Sequence, residues 1–223
     1  MARRLQPGII INNRSGLPGD FDTPEQHVGE FQINRPWETV MSLGEQWAWK
    51  PNDELKSTKE CLDVLVQCAV GGGNWLLGLG PMSDGRIEPR QVARVGEIGE
   101  WLKKYGETIY GTRGGPFISA EWGGATCRGN KIYVHLLRWS GVREKGGGRE
   151  AWSIDKLLRL PPLAQKIVAS KVLSGGKATV VQTDDGIEIQ VPKEFRDPID
   201  TIIELTLDKP AVGDPAESRA QSK

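Results

Sequence analysis

The side chains with chemistry to offer are unevenly spread. Residues 14–36 carry Arg14 and the carboxylates Asp20, Asp22, Glu25 and Glu30 on a stretch broken by Gly16, Pro18, Gly19, Pro24, Gly29 and Pro36. It has no sustained period and reads as a long loop, and loops of that length without structure of their own are usually functional or disordered. Such carboxylates exchange protons with a substrate where a site encloses them and are solvated charges elsewhere. A purely structural reading of Arg14 would pair it with Asp20 or Asp22. The eight tryptophans outnumber the three tyrosines and four phenylalanines together. Indole faces stack on the C–H faces of sugars, and they also fill cores, which is the commoner use.

Metal and thiol chemistry find little support. His27 and His135 lie far apart and no CxxC or HExxH occurs, so no zinc site is expected. Cys61 and Cys68 fall about two turns apart on one helix face, too far to bridge; with Cys127 they read as buried thiols. Asp184-Asp185-Gly186 reads as a turn rather than a calcium loop, and His135 as a core or boundary residue. The 29 Lys and Arg balance 29 Asp and Glu, so nothing suggests a nucleic acid or an anionic membrane as partner. No run of ~18 apolar residues could span a membrane, and Met1–Pro7 lacks the apolar core of ~7–15 residues of a secretory signal.

Two kinds of element must position these groups, and the 223 residues divide near residue 115. Before it, Ile9–Ile11, Trp37–Leu43 and Asn74–Leu79 read as short strands, the last buried on both faces. Lys56–Val70 reads as a helix capped by Ser57 or Thr58 and ended by Gly71-Gly72-Gly73. A second helix opens at Pro89 and runs to about Tyr105, with Val92, Val95, Ile98, Leu102 and Tyr105 inward. This alternation predicts parallel α/β architecture. After it, Lys131–Trp139, Lys166–Leu173, Ala178–Thr183, Ile187–Val191 and Thr201–Leu207 read as strands, with a hairpin at Asp185-Gly186. The fold class is therefore α/β followed by all-β, the second part (116–208) an antiparallel β-sandwich and residues 209–223 a flexible tail.

About three strands and two full helices make a parallel sheet with an unpaired edge and an uncovered apolar face. Arg3-Arg4-Leu5-Gln6-Pro7 also looks like a helix tail running into a strand. The expectation is that residues 1–115 are the later portion of a larger α/β domain.

Several segments, taken in order, resemble one family. They are Gln6-Pro7-Gly8-Ile9-Ile10-Ile11-Asn12-Asn13-Arg14, Gly19-Asp20-Phe21-Asp22-Thr23-Pro24-Glu25, Trp37-Glu38-Thr39, Gly72-Gly73-Asn74-Trp75-Leu76-Leu77, Gly80-Pro81, Asp84-Gly85-Arg86-Ile87 and Gly106-Glu107-Thr108-Ile109-Tyr110-Gly111-Thr112. The family is the α-L-fucosidases of glycoside hydrolase family twenty-nine, and the likeness covers residues 3–116. Each piece alone is weak; the ordered set is specific.

The resemblance implies the C-terminal portion of a (β/α)8-type barrel, then the sandwich. It implies a retaining exo-glycosidase that releases terminal α-L-fucose from fucosylated oligosaccharides or glycoconjugates, without cofactor or metal. Glu25 sits where the family places its acid/base, with Asp20, Asp22 and Glu30 as rivals because that placement varies between subgroups. Arg14 matches an arginine that contacts the sugar, and Trp47 an aromatic packed on the apolar face of fucose, with core packing as the alternative. Trp37-Glu38 reads as strand-end structure, with a supporting role for Glu38 as the lesser alternative. Ala48, Trp49 and Gly78 depart from the usual Gly, Tyr and Asn. The family's nucleophile is an Asp in a Trp-x-Asp setting upstream of the Gln-Pro-x-Ile-Ile segment, and nothing here matches it. The chain by itself is therefore expected not to turn over fucosides, while the full-length protein is expected to be exported or lysosomal, as relatives often are. The other reading is a non-catalytic carbohydrate-binding or accessory protein using Trp47, Trp122, Trp139 and Trp152. Oligomeric state is not legible.

Overall fold

A computed structural model describes residues 1–118, 120–145, 148–154 and 157–211, arranged as two units, Met1–Gly99 and Glu100–Lys223. The fold is mixed α/β, with several antiparallel sheets in its second half.

In the first unit a single helical turn, α1 (Ala2–Leu5), leads into a long irregular stretch that ends at β1 (Glu38–Ser42). The strand expected at Ile9–Ile11 is not formed. Only Asn12 pairs, in one parallel bridge with Phe21, and Ile10 is exposed. A strand needs a row of backbone partners, and residues 14–36 supply single bridges instead, Asp22 to Trp37 and Glu25 to Val40. The parallel sheet consists of β1 and β2 (Asn74–Gly78), in register from Glu38–Asn74 to Ser42–Gly78. β2 is not buried on both faces: Leu76 is 49% exposed, because no further strand or helix covers that side among the described residues.

The helix α2 (Thr58–Val70) begins as expected at Ser57. The Ser57 hydroxyl accepts from the Glu60 amide, and the Glu60 carboxylate accepts from the Ser57 amide at 2.7 Å, a reciprocal cap that satisfies two otherwise free donors. Cys61, Leu62, Val66, Cys68 and Val70 form its buried face. Where Gly73 follows, a Cβ would lie 2.2 Å from the buried Trp37 indole, so this turn admits no side chain. The helix α3 (Pro89–Tyr105) opens at Pro89. Its inner stripe differs from expectation: Ile98 and Tyr105 are buried, but Val92 and Val95 are exposed and Gln91 and Trp101 take their places. The buried face is therefore Gln91, Ile98, Trp101 and Tyr105.

The second unit is antiparallel. One sheet runs β3 (Arg113–Gly114), β4 (Gly123–Arg128), β5 (Lys131–Leu136), β12 (Thr201–Leu207), β9 (Ile167–Val172). A second runs β10 (Thr179–Thr183), β11 (Gly186–Gln190), β8 (Leu158–Leu160), and β6 (Ser140–Lys145) pairs with β7 (Gly148–Ser153). Alternate residues Ile132, Val134 and Leu136 share one core with Ala125, Ile203, Leu205, Leu158, Leu160, Ile187 and Ile189, so both larger sheets feed it. The expected hairpin joins β10 to β11, with Thr183 opposite Gly186. Residues 212–223 of the expected tail lie outside the described residues; Ala211 donates its amide to Gly129 at 2.8 Å.

Candidate active site

Single backbone bonds hold the irregular stretch 22–26 against β1. The Glu38 amide donates to Asp22 at 3.0 Å, the Val40 amide to Pro24 at 2.9 Å and the Gln26 amide to Val40 at 2.8 Å. Glu25 thereby lies opposite Val40. Strand parity puts Glu38 and Val40 on one face of β1, and the register sets Leu76 beside Val40. With Asn12, Arg14, Thr23, Glu25 and Trp47 they line an open cleft of about 450 Å³. Arg14, Glu25 and Trp47 are thus brought together; Asn12, Thr23, Val40 and Leu76 were not anticipated.

The carboxylates divide by partner. Asp22 accepts from Arg35 Nε at 2.8 Å and Nη2 at 3.1 Å and from Asn13 Nδ2 at 3.0 Å. The Arg35 guanidinium holds its carboxyl below the usual range. Asp20 accepts from the Ile11 amide at 2.8 Å and from Arg3 at 2.9 Å, which lower its pKa in that order. Both are committed to tying the irregular stretch together. Glu30 is exposed and does not line the cleft. Glu25 accepts from Arg14 Nη1 at 2.5 Å, each side chain 43% exposed, and its carbonyl accepts from His27 Nδ1 at 2.9 Å. Arg14 therefore pairs with Glu25, not with Asp20 or Asp22.

Trp47, 45% exposed, is the tryptophan most open to solvent among the described residues. A Cβ at Gly78 would stand 3.4 Å from its ring, so the bare backbone there lets the indole lie close to β2. Five of the other indoles are packed or bonded elsewhere. Trp49 donates to Glu88 at 3.0 Å, Trp101 packs on Tyr105 with centroids 5.3 Å apart, and Arg196 covers Trp139 at 3.9 Å. Trp122 packs on the second unit's core, and Trp152 lies on the Gly141 backbone. Burial pushes the Cys61 and Cys127 thiols up to about 11 and Cys68 to about 12, so none is a nucleophile near neutral pH. Among the described residues no group of three or more His, Cys, Asp or Glu could hold a metal ion.

A sequence profile of the alpha-L-fucosidase family matches residues 1–107. Over these residues, just under half of its length, the chain is similar to the alpha-L-fucosidase family. Among related fucosidases, the tissue enzyme of Bos taurus is 29% identical over 144 residues, 59% of this chain and 30% of that protein. Alpha-L-fucosidase isoenzyme 1 from Paenibacillus thiaminolyticus superposes with a TM-score of 0.75 at 29% identity, over 94% of this chain and 52% of that one. The Thermotoga maritima alpha-fucosidase, solved with a mechanism-based inhibitor, gives 0.65 at 28% identity, over 92% of this chain and 47% of that one. The chain spans about half the length of these solved fucosidases and under a third of the bovine enzyme.

Proposed function

We propose that this chain supplies the proton-transfer side of a retaining α-L-fucosidase that releases terminal α-L-fucose from fucosylated glycans. In this reading residues 1–115 are the C-terminal portion of a (β/α)8-type catalytic barrel and residues 116–208 a β-sandwich. The reading is carried by Glu25, Arg14 and Trp47 lining one cleft. Glu25 is the acid/base: its carboxyl protonates the leaving oxygen, then takes a proton from the water that releases the sugar. Arg14 holds ring hydroxyls and steadies Glu25, and Trp47 with Leu76 offers an apolar wall to the fucose methyl and C–H face. Asp20 and Asp22 are taken up by bonds that tie the irregular stretch together and do not line the cleft. The attacking carboxylate is assigned to sequence other than these 223 residues, so the chain by itself is expected to be inactive. A non-catalytic sugar-binding role has less support, since Trp122, Trp139 and Trp152 are all engaged within their own unit.

The test expresses the gene with whatever coding sequence precedes residue 1 and compares Glu25→Ala with the unmutated protein. Loss should be larger on natural fucosides than on an aryl fucoside, whose leaving group needs little protonation, and azide should restore turnover of the aryl substrate. Unchanged activity on natural fucosides would remove Glu25 from the role.

A further inference from the structure

Gln26 directly follows Glu25 and holds a left-handed backbone, φ +59°, which a residue with a Cβ adopts only at a cost. Its side chain supplies a reason to keep it there. Gln26 Nε2 donates to Ser42 Oγ at 3.1 Å, and Ser42 Oγ gives its one proton to the Gly44 carbonyl at 2.7 Å. Ser42 is buried at the end of β1. Gly44 opens the loop that carries Trp47, which closes where Gly44 bridges Leu55. Inside the loop, Lys50 ties Glu45 at 2.6 Å to Asp53 at 3.0 Å. A Cβ at Gly44 would stand 2.1 Å from Asp53 Oδ2, so the loop's two ends touch. Lys56 Nζ locks the base by donating to the Ser42 carbonyl at 2.8 Å.

The hydrogen bonds run one way, from the residue beside Glu25 to the root of the Trp47 loop. We propose that Gln26 and Ser42 are positioning residues, a two-bond relay that fixes where Trp47 stands relative to Glu25 and so sets the width of the cleft. Its consequence for sugar rests on the fucosidase reading; the relay itself does not.

Indole N–H resonances of the ¹⁵N-labelled 223-residue chain test it, with Trp47→Phe identifying the Trp47 signal. Gln26→Gly frees the left-handed backbone while deleting the amide, and Ser42→Ala deletes the hydroxyl. Each should displace the Trp47 resonance while leaving those of Trp101 and Trp152 in place. Freeing the left-handed backbone offsets the lost hydrogen bond, so the melting temperature of Gln26→Gly should change little. The double variant should displace Trp47 no further than the larger single one. A Trp47 resonance unmoved by both variants, or a double displacement equal to the sum, overturns the relay. In the active protein, KM for an α-L-fucoside should rise roughly two- to tenfold in either variant, the scale of one neutral hydrogen bond. An unchanged KM alongside a displaced Trp47 would leave the relay standing and sink the assignment of Trp47 to the sugar.

Discussion

Replacing Arg14 separates work on a substrate from work on the fold. Its contact with Glu25 is short, 2.5 Å, but both side chains are 43% exposed, so water and salt screen the pair. Pairs of that kind contribute about 1 kcal/mol of stability or less, which lowers the melting temperature of a chain this size by about 2–4 °C. The catalytic expectation is far larger. A charged donor aimed at charge that develops during reaction loses about 10²–10³-fold in rate when removed, or about 3–4 kcal/mol. Arg14→Ala should therefore melt within about 4 °C of the unmutated chain and lose roughly a hundredfold in kcat/KM on an α-L-fucoside in the active protein. Arg14→Lys keeps the charge but not the planar fork, and should recover only a small part of the rate. Scanning fluorimetry and steady-state kinetics on both variants read the two quantities independently. A melting temperature about 10 °C lower, roughly 3 kcal/mol or more, with kcat/KM within about threefold, would show that Arg14 braces the irregular stretch and does not serve the sugar.

Three further outcomes follow from groups outside the reacting pair. The carboxyls of Asp22 and Asp20 are held below their ordinary value of 3.8, and a depressed folded pKa gives stability that is present above the unfolded value and lost as pH falls through the folded one. The melting temperature should therefore be level down to about pH 5 and fall below about pH 4, and Asp22→Asn should flatten that fall; an equally steep profile in the variant refutes the assignment. Iodoacetamide at pH 8 should leave Cys61, Cys68 and Cys127 unlabelled until denaturant is added, because burial keeps all three as thiols; mass spectrometry showing native labelling would contradict their burial. His135 Nδ1 lies 2.6 Å from Asp200 Oδ2 with neither side chain exposed, so His135→Leu strands a buried carboxylate and should cost about 3–5 kcal/mol in urea unfolding. The double change with Asp200→Leu should recover most of that; a single-variant loss under about 1 kcal/mol would show the pair to be dispensable.

What the sequence disclosed and what it hid follow one physical division. Local rules found the elements whose causes are local: Ser57 or Thr58 for the start of α2, Pro89 for α3, and Asp185-Gly186 for the β10–β11 hairpin. They failed where the cause is a distant neighbour. The strand β4, opened by Gly123-Gly124, is not among those expected, and a Cβ on Gly123 would stand 2.0 Å from the His135 carbonyl. Glycine there is demanded by a strand twelve residues away, not by a bend. The β-branched run Ile9–Ile11 has strand propensity without a ladder to join, and propensity alone does not pair backbones. The candidate site divides in the same way. Arg14, Glu25 and Trp47 came from ordered motifs, but the wall beside them came from parity: once Glu38 faces the cleft, Val40 must, and the parallel register then delivers Leu76. That step needs only the pairing of β1 with β2, and a strand pairing is what one sequence read alone leaves open. The Gln26–Ser42–Gly44 chain lies further out of reach, since it joins a residue in a rare backbone conformation to a buried hydroxyl sixteen positions later. Reactive side chains can thus be read from motifs, whereas the groups that hold them at working distance emerge only from the fold.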